Sequence, residues 1–162
     1  DKLALLADSS RILDADDINE LVADSSRFDA FGLIDAALSG DAPKVTRMVE
    51  SLQAEGVEVL MVLGAIAREL RSLISMSLQL RQGKSVSEVM ASARVWKNRQ
   101  QVVSRALQRD RIARWPALLS RCSRVDQAVK GINPGSPWHE LLQLALAMAG
   151  AEPVASSPQA AR

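Results

Sequence analysis

The residues best suited to chemistry lie between positions 94 and 131, where ten Lys and Arg residues accompany only two acids, Asp110 and Asp126. Two of the three tryptophans, Trp96 and Trp115, lie in the same stretch. Cationic side chains contact phosphates and an indole ring stacks on an unpaired base, so this combination is typical of nucleic-acid binding. Residues 1–60 carry five basic residues against thirteen acids. The net charge of +1 therefore hides a basic centre that favours nucleic acid or an acidic protein partner.

The start of this basic stretch predicts an amphipathic helix from about Arg94 to Arg109. At 100° per residue an apolar arc separates from a positive arc, but Arg99 falls in the middle of the apolar one. We expect Arg99 either to pair with an acid such as Glu69 or Asp126, or to lie on a first turn that projects beyond the core. The apolar arc holds Val95, Trp96, Val102, Val103, Ala106 and Leu107, and the polar arc holds Arg94, Lys97, Asn98, Gln101, Arg105 and Arg109.

This helix leaves two interpretations open. The tryptophan near its start is either a core side chain or an exposed platform for a base. The positive arc is either an ordinary solvated surface or a binding face.

No arrangement of nucleophile, base and acid is evident elsewhere. His139, the only histidine, lies beside Trp138 on the apolar edge of a predicted helix, and a structural role is favoured because no second ligand or base accompanies it. Cys122, the only cysteine, has neither a CxxC partner nor a histidine nearby in sequence, so we expect a free structural thiol. We therefore expect no catalytic residue in this chain.

Two further patterns have simpler structural interpretations. Asp14, Asp16 and Asp17 lack the glycine and the distal glutamate of a calcium loop, and helix capping explains them. Gly83-Lys84-Ser85 resembles the end of a phosphate-binding loop, but the position that requires the first glycine is Leu78, inside a predicted helix. We expect no metal, no cofactor and no ATP binding.

The composition favours helices, with 48% hydrophobic residues, 3% aromatic residues and no tyrosine. Apolar residues repeat at three and four positions, and glycines at 40, 56, 83 and 131 follow these repeats as helix stops. The pattern predicts an all-α helical bundle of about eight helices, with a break at Ser25 and Ser26. The predicted core faces include Phe28, Phe31, Ile34, Ala37 and Leu38 on one helix and Leu60, Leu63, Ala67, Leu70, Ile74 and Leu78 on the longest one.

Nothing in the sequence predicts a membrane segment. The longest apolar run, Val59 to Ala67, is far too short to cross a bilayer, and the first residues lack a signal pattern. We expect a soluble, cytoplasmic protein. Because the first residues resemble the middle of an amphipathic helix, we also expect a fragment of a longer protein.

Several strings of residues carry a resemblance to a known family. They are Arg94-Val95-Trp96-Lys97-Asn98-Arg99, Phe28-Asp29-Ala30-Phe31 and Arg124-Val125-Asp126, together with the segments that follow them. Taken in their order along the chain, these strings resemble the delta subunit of the bacterial DNA polymerase III clamp loader over nearly all of residues 1–150. The first string is the most distinctive.

The resemblance implies a helical collar domain at residues 26–150, preceded at 1–25 by the end of the AAA+ lid domain and followed at 151–162 by a mobile tail. In that family the collar joins the loader subunits, and a separate domain, expected to be absent here, grips the sliding clamp. Delta lacks a working ATPase site. This chain is therefore expected not to be an enzyme, although the intact subunit would belong to the DNA polymerase III holoenzyme.

The resemblance also implies a contact with primer-template DNA near the start of the basic helix. The residues expected to form it are Arg94, Trp96, Asn98 and Arg99, whereas a second aromatic contact of the family has no counterpart in the loop 132–136. Two functions stay open. One is an assembly module with a modest DNA contact, whose partners are the other loader subunits and primer-template DNA; the other is an autonomous helical nucleic-acid-binding domain.

Overall fold

Seven α-helices and no β-strand make up the part of the chain that the computed structural model describes, residues 15–110 and 112–151. The all-α prediction is confirmed. Asp14, most of the predicted lid segment at 1–25 and all but one residue of the predicted tail at 151–162 lie outside the described residues. In chain order the helices are α1 (Ala15–Ser39), α2 (Ala42–Ala54), α3 (Val59–Arg81), α4 (Val86–Ser92), α5 (Lys97–Arg109), α6 (Arg114–Val129) and α7 (Pro137–Met148).

The ends of these helices follow local signals. The Asp41 side chain accepts a hydrogen bond from the Lys44 amide at 3.0 Å, which caps α2. Ser85 and Glu88 form a reciprocal capping box at the start of α4. Gly40 ends α1 with φ at 80°, a left-handed conformation that a Cβ atom would disfavour. The glycine stop predicted at position 40 is confirmed.

Helix α3 lies at the centre of the bundle, where it contacts α1, α4, α6 and α7. Helix α7 also packs against α1, α2 and α6, and α5 joins the bundle mainly through α1. Each helix buries one apolar face, so the faces form one continuous core. Its largest fully buried side chains include Leu33, Leu70, Trp115, Leu144 and Met148. No helix in the described ranges has the length and apolarity needed to cross a membrane.

The predicted break at Ser25 and Ser26 is wrong. Helix α1 continues through both serines, and Ser26 is buried. Serine disfavours a helix interior by only about half a kcal/mol, so the burial of Ala30, Leu33 and Ile34 further along the same helix outweighs it. The division into a lid segment at 1–25 and a collar domain at 26–150 stays a prediction.

The start of the basic helix differs from the sequence-based expectation. The basic helix begins at Lys97, because Arg94 adopts φ at 54° and the Val95 amide donates to a carbonyl of α4 at 3.0 Å. This turn separates α4 from α5. Helix α6 begins at Arg114, so Pro116 lies in the first turn, where its missing amide breaks no helical hydrogen bond.

Four side chains predicted to lie in the core are exposed: Phe28, Phe31, Leu60 and Leu78. A repeat at three and four positions predicts that a helix has an apolar face, but it defines the angle of that face only loosely. On α3 the buried face is rotated from the predicted one. Its buried positions are Val62, Leu63, Ile66, Leu70, Leu73, Met76 and Ser77.

Candidate nucleic-acid interface

Trp96 is the N-cap residue of α5, with an extended backbone at φ −62° and ψ 145°. Its carbonyl accepts hydrogen bonds from the amides of Arg99 at 2.9 Å and Gln100 at 3.1 Å, which start the helix. The residue is 77% exposed. The predicted apolar arc wrongly included Trp96, because a helical wheel describes only residues within the helix and Trp96 precedes it. The structure thus leaves an indole ring open to solvent at the start of a helix.

Positive charge surrounds this tryptophan. Arg94, Lys97 and Asn98 are exposed, and the first turn of α5 contains no acid. The N-terminus of a helix carries about half an elementary positive charge, which attracts anions. No side chain caps α5, so this charge adds to those of the arginine and the lysine. The surroundings of Trp96 therefore favour phosphate groups.

The turn before Trp96 is held by backbone and side-chain hydrogen bonds. The Arg94 amide donates to the Ala91 carbonyl at 3.1 Å, and the Gln100 side-chain amide donates to the Val95 carbonyl at 3.0 Å. Arg94 is the one described residue other than glycine with a positive φ. That conformation costs about 1–2 kcal/mol for a residue with a Cβ atom. The hydrogen bonds of the turn offset this cost and fix the path of the chain into α5.

Arg99 connects α5 to two other helices. Its Nη2 atom lies 2.8 Å from Oδ1 of Asp35 on α1 and 3.1 Å from Oε1 of Glu69 on α3, and its Nε atom also donates to Asp35. Its Cζ atom lies 6.0 Å from the centre of the Phe31 ring. Burial lowers the pKa of the guanidinium, but the carboxylates of Glu69 and Asp35 outweigh burial and raise it overall.

The expectation that Arg99 pairs with Glu69 is confirmed, whereas Asp126 pairs with Lys130 at 2.6 Å instead. The second partner of Arg99, Asp35, was not predicted from the sequence. Its signal is a single acid between the buried residues Ile34 and Ala36 of α1, where a charged side chain needs a partner. Because two nitrogens of Arg99 are occupied by carboxylates, the contribution open to it at the interface is to position α5.

Much of the basic stretch is neutralised within the chain. Of its nine Lys and Arg residues that the structure describes, five form ion pairs, and these are Arg99, Arg109, Arg114, Arg124 and Lys130. Arg94, Lys97, Arg105 and Arg121 have no ion pair among the described residues. The positively charged surface is thus smaller than the sequence indicates. Two of these four unpaired residues, Arg94 and Lys97, lie on either side of Trp96 in the sequence.

Residues 30–155 match the protein family described as "Processivity clamp loader gamma complex DNA pol III C-term". The chain belongs to this family. The matched residues include the whole surface around Trp96. The resemblance that the Arg94–Arg99 string suggested is thereby confirmed at the level of the family.

Two relatives of this clamp-loader chain carry the name DNA polymerase III subunit delta. The one from Escherichia coli (strain K12) is 26% identical over 129 residues, which cover 80% of this chain and 37% of that protein. The one from Haemophilus influenzae is 26% identical over 137 residues, which cover 78% of this chain and 39% of that protein. The chain therefore spans less than two fifths of the length of either relative.

The other described residues whose side chains could carry chemistry do not form a reactive site with one another. Burial raises the pKa of the Cys122 thiol, which keeps it protonated and unreactive near neutral pH. His139 is exposed on α7, and Ser85 is the N-cap of α4 rather than part of a phosphate loop. No group of three or more His, Cys, Asp or Glu side chains that could hold a metal is present within the described ranges.

Proposed function

We propose that this chain is the C-terminal collar domain of a replicative clamp-loader delta subunit. In this proposal it assembles with the other loader subunits and adds a modest contact to primer-template DNA, while a domain outside this chain acts on the sliding clamp. Membership of the clamp-loader family and the names of both relatives support the assembly role. The observation that carries the DNA contact is the 77% exposure of Trp96 at a helix start free of acids.

The contact has a simple chemistry. The indole of Trp96 stacks on an unpaired template base or on the terminal base of a junction, and Arg94 and Lys97 contact neighbouring phosphates. Asn98, at the second position of α5, donates from its side-chain amide to a phosphate or sugar oxygen. Arg99 holds the first turn of the helix against Asp35 and Glu69, so that the other groups keep their arrangement.

Magnitudes favour a modest contact over an autonomous binding domain. Stacking on one base contributes about 1–3 kcal/mol, and non-specific binding typically needs many phosphate contacts. Five of the nine described basic residues in the central stretch are already paired with carboxylates. The remaining charge suits a surface that helps an assembled loader to settle on a junction.

The test is Trp96→Ala in the full-length delta subunit, reconstituted with the other purified loader subunits. Binding to a fluorescent primer-template is expected to weaken by roughly fivefold to a hundredfold, the loss of one stacked base, without change in assembly or melting temperature. Phe28→Ala is the matched control, because Phe28 is a similarly exposed aromatic residue on α1. Unchanged DNA affinity in the Trp96→Ala loader, with assembly intact, would overturn the DNA part of the proposal.

A further inference from the structure

One side of α3 stays open to solvent although α3 is the central helix of the bundle. Leu60, Gly64, Arg68 and Arg71 are all exposed and follow one another at intervals of four, four and three residues. This spacing places them on one face of the helix. We call these four residues the α3 face. Leu60 is 49% exposed on a helix that contributes seven buried residues to the core.

A groove runs along each side of the α3 face. Toward α1, a groove of about 550 Å³ is lined by Ala30, Phe31 and Ala65 together with three residues of the face, Leu60, Gly64 and Arg68. Toward α6, a groove of about 430 Å³ is lined by Leu119 and Cys122. Leu60 and Gly64 border both grooves. The face is therefore a low ridge between two grooves that mix apolar and charged side chains, a shape that fits an amphipathic helix laid against it.

Gly64 has no role in packing among the residues that the structure describes. A Cβ atom at this position would meet no atom within 4 Å, and the residue lies inside a helix, where alanine is more favourable. A helix-interior glycine at an open surface allows another backbone to approach closely. This is a second indication that the α3 face is covered by a partner.

The charges around the grooves specify the partner's chemistry. Arg27 and Arg68 border the groove toward α1, and Arg71 borders the groove toward α6. The one acid among the described residues that line either groove, Asp126, is paired with Lys130 at 2.6 Å. Arg27 lies 3.8 Å from Asp24, and both side chains are more than two thirds exposed, so this pair is weak. Arg68 and Arg71 have no ion pair among the described residues. An occupant needs apolar side chains for the grooves and carboxylates for the arginines.

We propose that the α3 face is a docking surface for an acidic amphipathic helix supplied by another subunit of the loader. The inference rests on the assembly role proposed above and is independent of the DNA contact. Leucine, valine or methionine side chains of that helix enter the two grooves, its backbone crosses α3 at Gly64, and its Asp or Glu residues meet Arg27, Arg68 and Arg71. Electrostatic complementarity of this kind selects the partner and fixes its register.

A photocrosslinking amino acid at the α3 face identifies the occupant. We would replace Leu60, an exposed apolar residue that borders both grooves, with p-benzoyl-phenylalanine in the full-length subunit, and irradiate the loader reconstituted with its other purified subunits. The expected product joins position 60 to an Asp- or Glu-containing amphipathic helix of a different subunit. The same amino acid at Glu50, exposed on α2, is the matched control and should give a different product or none. A product with a second copy, with another segment of the same chain, or no product in an assembled loader overturns the inference.

Charge reversal separates this inference from the assembly role. Arg68→Glu combined with Arg71→Glu is expected to weaken capture by the other loader subunits by roughly tenfold or more, with circular dichroism unchanged. Arg81→Glu, exposed in the last turn of α3, is the control and should bind normally. If the natural subunit binds and the double variant binds equally well, the α3 docking site is wrong and the assembly role stands. If the natural subunit is not captured, both proposals fail.

Discussion

Arg99 and Asp35 lie 64 positions apart in the sequence, yet the Nη2 atom of the arginine is 2.8 Å from Oδ1 of the aspartate. With Glu69 on α3, this pair joins the start of α5 to two other helices. The three side chains are between 12% and 35% exposed, so solvent screens the interaction only in part. The position of the Trp96 surface relative to the bundle therefore depends on a charge cluster.

Removal of this arginine is expected to loosen the α5 attachment. Arg99→Ala should lower the free energy of unfolding by about 1–3 kcal/mol, because two partly buried carboxylates lose their partner. Urea denaturation followed by circular dichroism measures the change. Arg105→Ala removes the same charge from an exposed site of α5 and should cost less than about 0.5 kcal/mol. Equal losses in the two variants would mean that the cluster has no special structural role.

Arg94 combines a strained backbone with a proposed phosphate contact, and glycine should separate the two effects. Arg94→Gly is expected to raise stability by about 0.5–1 kcal/mol, since glycine relieves the positive φ at some entropic cost. In the assembled loader the same change should reduce the slope of log affinity for primer-template DNA against log salt by about 0.7–0.9. Arg94→Ala is the control, since it removes the charge and keeps the strain. A stability gain in both variants would refute the backbone explanation.

Of the two acids in the basic stretch, Asp110 is expected to contribute more than Asp126 to the free energy of unfolding. Its side chain is 3% exposed and contacts Arg109 at 2.9 Å and Arg114 at 3.0 Å. Asp110→Ala should lower the free energy of unfolding by about 1.5–3 kcal/mol. Asp126→Ala is the matched change, because its surface pair with Lys130 should contribute less than about 1 kcal/mol. Chemical denaturation of both variants decides the order, and a larger loss at Asp126 would contradict it.

The capping box of α4 should make part of the stability depend on pH. Hydrogen bonds from the Ser85 amide and hydroxyl lower the pKa of Glu88 below its usual 4.5. A lowered folded-state pKa contributes stability that is complete above the unfolded value and is lost as the pH falls through the folded one. The stability difference between the natural chain and Glu88→Gln should therefore be constant above pH 4.5 and shrink below it. Glu50→Gln, on the exposed side of α2, provides the control in the same urea titrations.

Two helix-interior glycines should respond differently to alanine. At Gly64 the added methyl group meets open space, so Gly64→Ala should stabilise the chain by about 0.5–1 kcal/mol. At Gly32 a Cβ atom would lie 2.8 Å from Cε of Met48, so Gly32→Ala should gain less or lose stability. Thermal melts of the two variants test this order. A stabilised Gly64→Ala chain that also loses affinity for other loader subunits would link the glycine to close approach by a partner.

The fold class and the caps could be predicted from the sequence because their signals are local. Asp41, Ser85 and Gly40 act on residues within one or two turns, and the apolar repeats need no knowledge of distant contacts. Features that depend on contacts between distant parts of the chain were harder to predict from the sequence. The start of α5 depends on a turn at Arg94, and the continuity of α1 through Ser26 depends on the helices that cover it.

The candidate site shows the same limit. Residue types around Trp96 predicted a positive surface, but its exposure follows from a helix start that lies three residues later than expected. The pairing of Asp35 with Arg99 could not be read from spacing, because their helices meet only in the folded bundle. The rotation of α3 that exposes Leu60 has the same origin, since neighbouring helices determine which face is buried.

The three tryptophans of this chain give it an internal optical reporter. Trp115 is fully buried, Trp138 is half-buried and Trp96 is exposed to solvent. An indole in water emits at longer wavelength than one in a dry core, and only a solvent-exposed ring is readily quenched by iodide. The red edge of the emission therefore comes mainly from Trp96. A ligand that covers this residue will shift and protect that component alone, so unlabelled protein can report on contacts at the start of α5.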